Sequence, residues 1–144
     1  MSIVEFIKSV PRELIDVGKP ISRYNIAMSE AALKVTFHPE LYEYLETFGW
    51  IGIGSWQLFG ISNIIKSVAD QPIVRESVDF RRSSGLNDIA ISHDGGDCFI
   101  VFEVLPSGMV NPIISMKTFY GVREDWVSNG LTLTEWFKAI LYEK

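Results

Sequence analysis

The chain has 144 residues, 47% of them hydrophobic and 22% charged, with a formal net charge of −5. That length can close one hydrophobic core, and the composition excludes a disordered chain. The acidic balance argues against direct binding of nucleic-acid phosphates, no apolar run reaches the roughly 20 residues of a membrane span, and the single cysteine, Cys98, excludes an internal disulfide and a cysteine-based zinc cage.

A mean hydropathy of +0.17 is high for a soluble domain and leaves room for an apolar patch facing a partner. The first ten residues carry Glu5 and Lys8 and no cationic leader ahead of an apolar stretch, so a secretory signal is not expected and a cytoplasmic location is. No internal repeat, low-complexity tract or linker divides the chain. Residues 1–144 are read as one α+β domain, a mainly antiparallel sheet flanked by N-terminal helices and a C-terminal helix.

Ser2-Ile3-Val4-Glu5 has capping-box spacing, and Ile3, Phe6, Ile7 and Val10 follow at one-face helical intervals until Pro11 stops the helix. A second short helix is expected from Ser29 through Leu33. The third starts at Pro39, buries Leu41, Tyr44, Leu45 and Phe48, and stops at Gly49; Glu40, Glu43 and Glu46 are expected on its wet side. Residues 50–54 and 56–59 read as short strands or extended loop. Ser62 is expected to cap a helix that turns Ile61, Ile64, Ile65 and Val68 inward and ends at Pro72. Residues 73–82 are read as helical and 83–86 as a turn. Asp88–Ser92 reads as a strand, 93–96 as a glycine turn, and 97–105 as the return strand, with Cys98, Ile100, Phe102 and Val104 on its core face. A turn at 106–108 leads to a third strand over 110–115, with Pro112 on an edge. The closing helix opens on a second capping box, Thr132-Leu133-Thr134-Glu135, and carries Leu133, Trp136, Phe137, Ile140 and Leu141 inward.

Candidate chemistry is sparse. His93 among Asp94 and Asp97 could act as a general base in a small hydrolase, or the residues could simply form a turn. His38, before Pro39, is expected to pack or cap. Gly49, Gly52 and Gly54 lack the lysine and hydroxyl residue of a phosphate loop. Cys98 reads as a buried, inert thiol. No metal site, cofactor site or catalytic set is expected. Glu40, Glu43 and Glu46 are a solvated helix face or an acidic patch that steers a basic partner. Glu124-Asp125-Trp126 reads equally as a guarded aromatic anchor for a partner or as a tryptophan plugging the core.

Several stretches, taken in order, resemble one family. Phe37-His38-Pro39-Glu40-Leu41-Tyr42-Glu43-Tyr44-Leu45 is similar to a Leu-Pro-x-x-Tyr-x-x-Phe-Leu helix start, with His38 in place of the leucine. Phe48-Gly49-Trp50 with Gly52 stands where an Asn-Gly-Gly is usual. The run from Leu86 to Asp97 is similar to a strand, glycine turn and Gly-Asp step, and Leu133-Thr134-Glu135-Trp136-Phe137 to a final helix. This order resembles the SUKH superfamily, which takes in bacterial immunity proteins and a fungal regulator of cell-wall synthesis. The resemblance implies a binding module that neutralises a cognate toxin, often a nuclease; a basic toxin partner and a monomer or weak dimer are expected. Glu40, Glu43, Glu46, Asp94, Asp97, Glu124, Asp125 and Trp126 are the expected partner-binding residues. A regulatory or scaffold module with a housekeeping partner is the alternative.

Overall fold

The computed structural model describes residues 2–94, 98–118, 127–128 and 130–142. Helix α1 (Ile3–Ser9) begins at the expected capping box: the Ser2 hydroxyl accepts from the Glu5 N–H at 3.1 Å and the Glu5 carboxylate accepts from the Ser2 N–H at 3.2 Å. A 3-10 turn over Arg12–Leu14 leads to strand β1 (Ile15–Val17). Helix α2 runs over Arg23–Leu33, six residues longer at its start than expected, and is capped by Ser22. Ser29, the expected start, is fully buried in its middle.

Helix α3 (Pro39–Phe48) matches its expected bounds, and Gly49 follows at φ 75°. Strands β2 (Ile51–Ile53) and β3 (Trp56–Leu58) form a hairpin that pairs with β1 into a three-stranded antiparallel sheet, order β1-β2-β3. No helix follows Ser62. Residues 61–67 are irregular, a 3-10 turn covers Val68–Asp70, and Pro72 opens helix α4 (Pro72–Ser84) instead of closing an earlier one. Proline suits the first helical turn, where its missing N–H is not needed.

Strands β4 (Ile89–His93), β5 (Cys98–Val104), β6 (Val110–Thr118) and β7 (Val127–Ser128) form an antiparallel sheet in that order. His93 of the expected 93–96 turn belongs to β4, and Gly95 and Gly96 lie outside the described residues. β7 pairs only with Ser115 and Met116, so Pro112 sits where that edge of β6 has no paired strand among the described residues. Helix α5 (Leu133–Tyr142) begins at the expected Thr132–Glu135 box.

β5 departs from its expected one-sided burial, and Cys98 and Val104, expected on the core face, are only half-buried. Phe99, Ile100, Val101 and Phe102 are all buried, so both faces of this strand are covered. Phe99 meets Phe80 of α4, ring centres 5.3 Å apart, and Phe102 meets the His38 ring edge-on at 4.7 Å. The two sheets join where the chain leaves β3: the Phe59 N–H donates to the Ile91 carbonyl at 2.7 Å, and the Ser92 hydroxyl donates to the Gln57 carbonyl at 2.7 Å.

Polar groups tie these layers. The Lys117 ammonium lies 2.7 Å from the Asp88 carboxylate and 2.8 Å from that of Glu103, with Lys117 and Asp88 buried. Burial disfavours the Lys117 charge, but the hydrogen bonds it donates to both carboxylates outweigh that and raise the group above the ordinary lysine range. Arg81 donates to the Asn87, Asp88 and Leu33 carbonyls, tying α4 to the start of β4 and to the end of α2. The remaining charge of the Arg81-Arg82 pair, Arg82, faces Asp79 on the surface.

Two consequences can be measured. Lys117→Met leaves Asp88 buried without its cation and should cost about 3–5 kcal/mol in urea unfolding; an unchanged midpoint would remove the pair from the folded state. His38 caps α3 by accepting from the Leu41 N–H, while its Nε2 has no partner among the described residues. Burial lowers its pKa from 6.5 to about 4, so the unfolded chain takes up a proton before the folded one does. Stability should therefore fall as pH drops from 6.5 towards 4, by up to about 3 kcal/mol. His38→Asn keeps a capping oxygen and should flatten that slope. Equal slopes in both proteins would contradict a neutral buried imidazole.

Candidate partner-binding surface

Ser22 starts α2 by accepting from the Asn25 N–H at 3.2 Å. The helix then buries Ile26, Ser29 and Leu33. Its opposite face carries Tyr24, Ala27, Met28 and Ala31, at i, i+3, i+4 and i+7, and all four are exposed. Tyr24 is 67% exposed and Met28 41%. A surface helix normally turns charge outward; this one turns out a second apolar stripe.

The irregular segment after Ile61 lies beside that helix. Gln71, itself buried, holds it like a clasp: its Oε1 accepts from the Ser62 N–H at 2.8 Å, and its Nε2 donates to the Ser62 and Ile65 carbonyls at 3.0 and 3.3 Å. Asn63 donates to the Pro20 carbonyl at 3.2 Å, anchoring the segment to the entrance of α2. Held in this way, Ile64 stands 86% exposed, the opposite of its expected inward position. A pocket of about 160 Å³ lies between the two elements, lined by Tyr24, Asn25, Met28, Ile65, Lys66, Val68 and Gln71. A preorganised apolar knob next to a small pocket is the geometry of an interface hot spot.

The expected acidic residues are distributed differently. Glu40 does not face water freely: it accepts from the Leu133 N–H at 2.9 Å and from the Thr134 hydroxyl at 2.6 Å, serving the first turn of α5. Carboxylates suit helix N-termini, where free N–H groups concentrate positive charge. Glu46 pairs with Arg23 at 3.1 Å, which places it at the start of the α2 stripe. Glu43 is exposed on α3. Asp94 lies at the far end of β4, exposed, its N–H donating to the Cys98 carbonyl at 3.1 Å. Asp97, Glu124, Asp125 and Trp126 lie outside the described residues.

His93 is half-buried between the rings of Phe59 and Phe99, at 5.6 and 5.4 Å. It lines two cavities, of about 320 and 360 Å³, which also share Gln57 and Phe59. Burial, with the nearby Asp94 charge, raises the Cys98 thiol pKa, which works against a thiolate nucleophile there. Among the described residues no three His, Cys, Asp or Glu side chains cluster as a metal site, and no helix is long and apolar enough to cross a membrane.

No protein-family model and no curated protein matches the chain.

The clasp makes a direct prediction. Gln71→Ala removes three hydrogen bonds and should cost roughly 1–3 kcal/mol, with faster hydrogen exchange at the Ser62 amide. Unaltered exchange there would mean that Gln71 does not hold the segment.

Proposed function

We propose that this chain is a partner-binding module that neutralises a cognate toxin by direct contact. The observation that carries the binding reading is the solvent-facing stripe of α2, with Ile64 exposed on the clasped segment that lines a pocket with it. Exposed apolar side chains this ordered suit burial by another protein better than they suit water. The Arg23–Glu46 pair at the start of the stripe supplies a polar rim, and the net charge of −5 would speed encounter with a basic toxin such as a nuclease. The toxin as partner comes from the SUKH resemblance.

A regulatory module with a housekeeping partner could use the same surface, so the test must read toxicity. The chain should be co-expressed with the product of the adjacent reading frame, and growth and complex formation followed. Rescue of growth by a stoichiometric complex supports immunity; a complex without toxicity favours the regulatory module. In either complex, Tyr24→Ala with Ile64→Asp should weaken binding at least 100-fold, about 3 kcal/mol, without shifting the melting temperature. Full affinity in that variant would reject the α2 surface.

One observation favours a second reading, a small hydrolase using His93, Asp94 and Asp97: His93 borders both of its neighbouring cavities. That reading requires a hydrolytic activity that His93→Ala abolishes. Growth rescue that persists in His93→Ala would separate the two.

A further inference from the structure

β1 is an outer strand of its sheet and, among the described residues, pairs only with β2. The Gly18 N–H donates inward to the Trp50 carbonyl at 2.9 Å. Backbone direction alternates along a strand, so the N–H and C=O of Val17 turn outward, to the edge that has no paired strand among the described residues. Ile15 and Val17, two residues apart, share one face of β1. With Ile7 and Val10 beside α1 and Phe48 at the end of α3, they line an apolar groove of about 360 Å³. Lys8 and Arg12 line the same groove, both exposed, and neither has a carboxylate partner among the described residues. Two unpaired cations beside an apolar groove run against the acidic balance of the whole chain.

We propose that this groove receives an extended segment of a protein partner, which adds a strand to the β1 edge. Its groove-facing side chains are apolar at the centre and acidic at the flanks. The Val17 backbone supplies the pairing groups, the Ile7–Val10–Phe48 floor takes the apolar side chains, and Lys8 and Arg12 take the carboxylates. A second copy of this chain fits less well, because two-fold pairing along this edge would bring the Lys8 and Arg12 charges of both copies to one seam. The groove shares no lining residue with the α2 stripe, and binding there does not depend on the α2 reading.

The probe is a fluorescein-labelled heptapeptide, Glu-Ser-Val-Ser-Ile-Ser-Glu, blocked at both ends. In an extended strand its Glu, Val, Ile and Glu share one face. Fluorescence anisotropy with the full chain should show saturable binding that weakens with salt. Replacing both probe glutamates by lysine, or N-methylating alternate probe amides, should each weaken binding at least tenfold. Lys8→Glu with Arg12→Glu should do the same with the melting temperature unchanged, since both side chains are exposed. The proposal is overturned by no binding at millimolar chain concentration, by binding indifferent to N-methylation, or by binding indifferent to the charge reversal. A concentration-dependent dimer that the double charge reversal strengthens would overturn it in favour of a second copy of the chain.

Discussion

Gly60 lies against Gly49 so closely that a side chain at position 60 would collide with the Gly49 backbone. Much of the molecule is fixed by that approach. The Ile61 N–H donates to the Gly49 carbonyl at 2.9 Å, and the Gly60 carbonyl accepts from the Ile73 N–H at 3.0 Å. One crossing of two glycines therefore joins the end of α3, the exit from β3 and the first turn of α4. Immediately before it, Phe59 and Gln57 stitch the small sheet to the larger one. Immediately after it, the chain must turn outward, and Gln71 closes the segment that carries Ile64. The exposed stripe and the joined sheets share this origin.

Several polar residues that look available in the chain are spent inside it. Glu40 serves α5, Glu30 accepts from the Phe37 N–H at 2.8 Å, Arg81 holds three carbonyls, and Lys117 neutralises Asp88. Each meets a backbone or charged group that would be costly to bury alone. Apolar side chains, by contrast, remain outside on α2, at Ile64 and along β1. This division favours recognition by shape and apolar burial, with charge at the rim.

How much of this could be read in advance followed from how local each signal is. The Ser2–Glu5 and Thr132–Glu135 boxes and the Pro39-to-Gly49 span are set by neighbours three or four residues apart, so those helices stood out. α2 did not, because Asn25 replaces the glutamate of a capping box and the helix is apolar on both sides, which blurs its period. Pro72 is ambiguous in principle, since proline both closes and opens helices; only the bonds that Gln71 and Ile73 make back to Ser62 and Gly60 decide for opening. The inward reading of Ile64 failed for the same reason: its neighbours have helical spacing, but the Gln71 clasp and the Asn63–Pro20 bond hold a loop. The role of Glu40 was hidden because its partners lie 93 and 94 residues away.

Photo-crosslinking from single positions in cells that natively express the chain reads partner docking most directly. A benzoylphenylalanine placed at position 64 should give one dominant protein adduct on irradiation, and the same group at position 43 on α3 should give little. A dominant adduct from position 43 with none from position 64 would contradict docking on the α2 stripe and return the interface to the acidic helix.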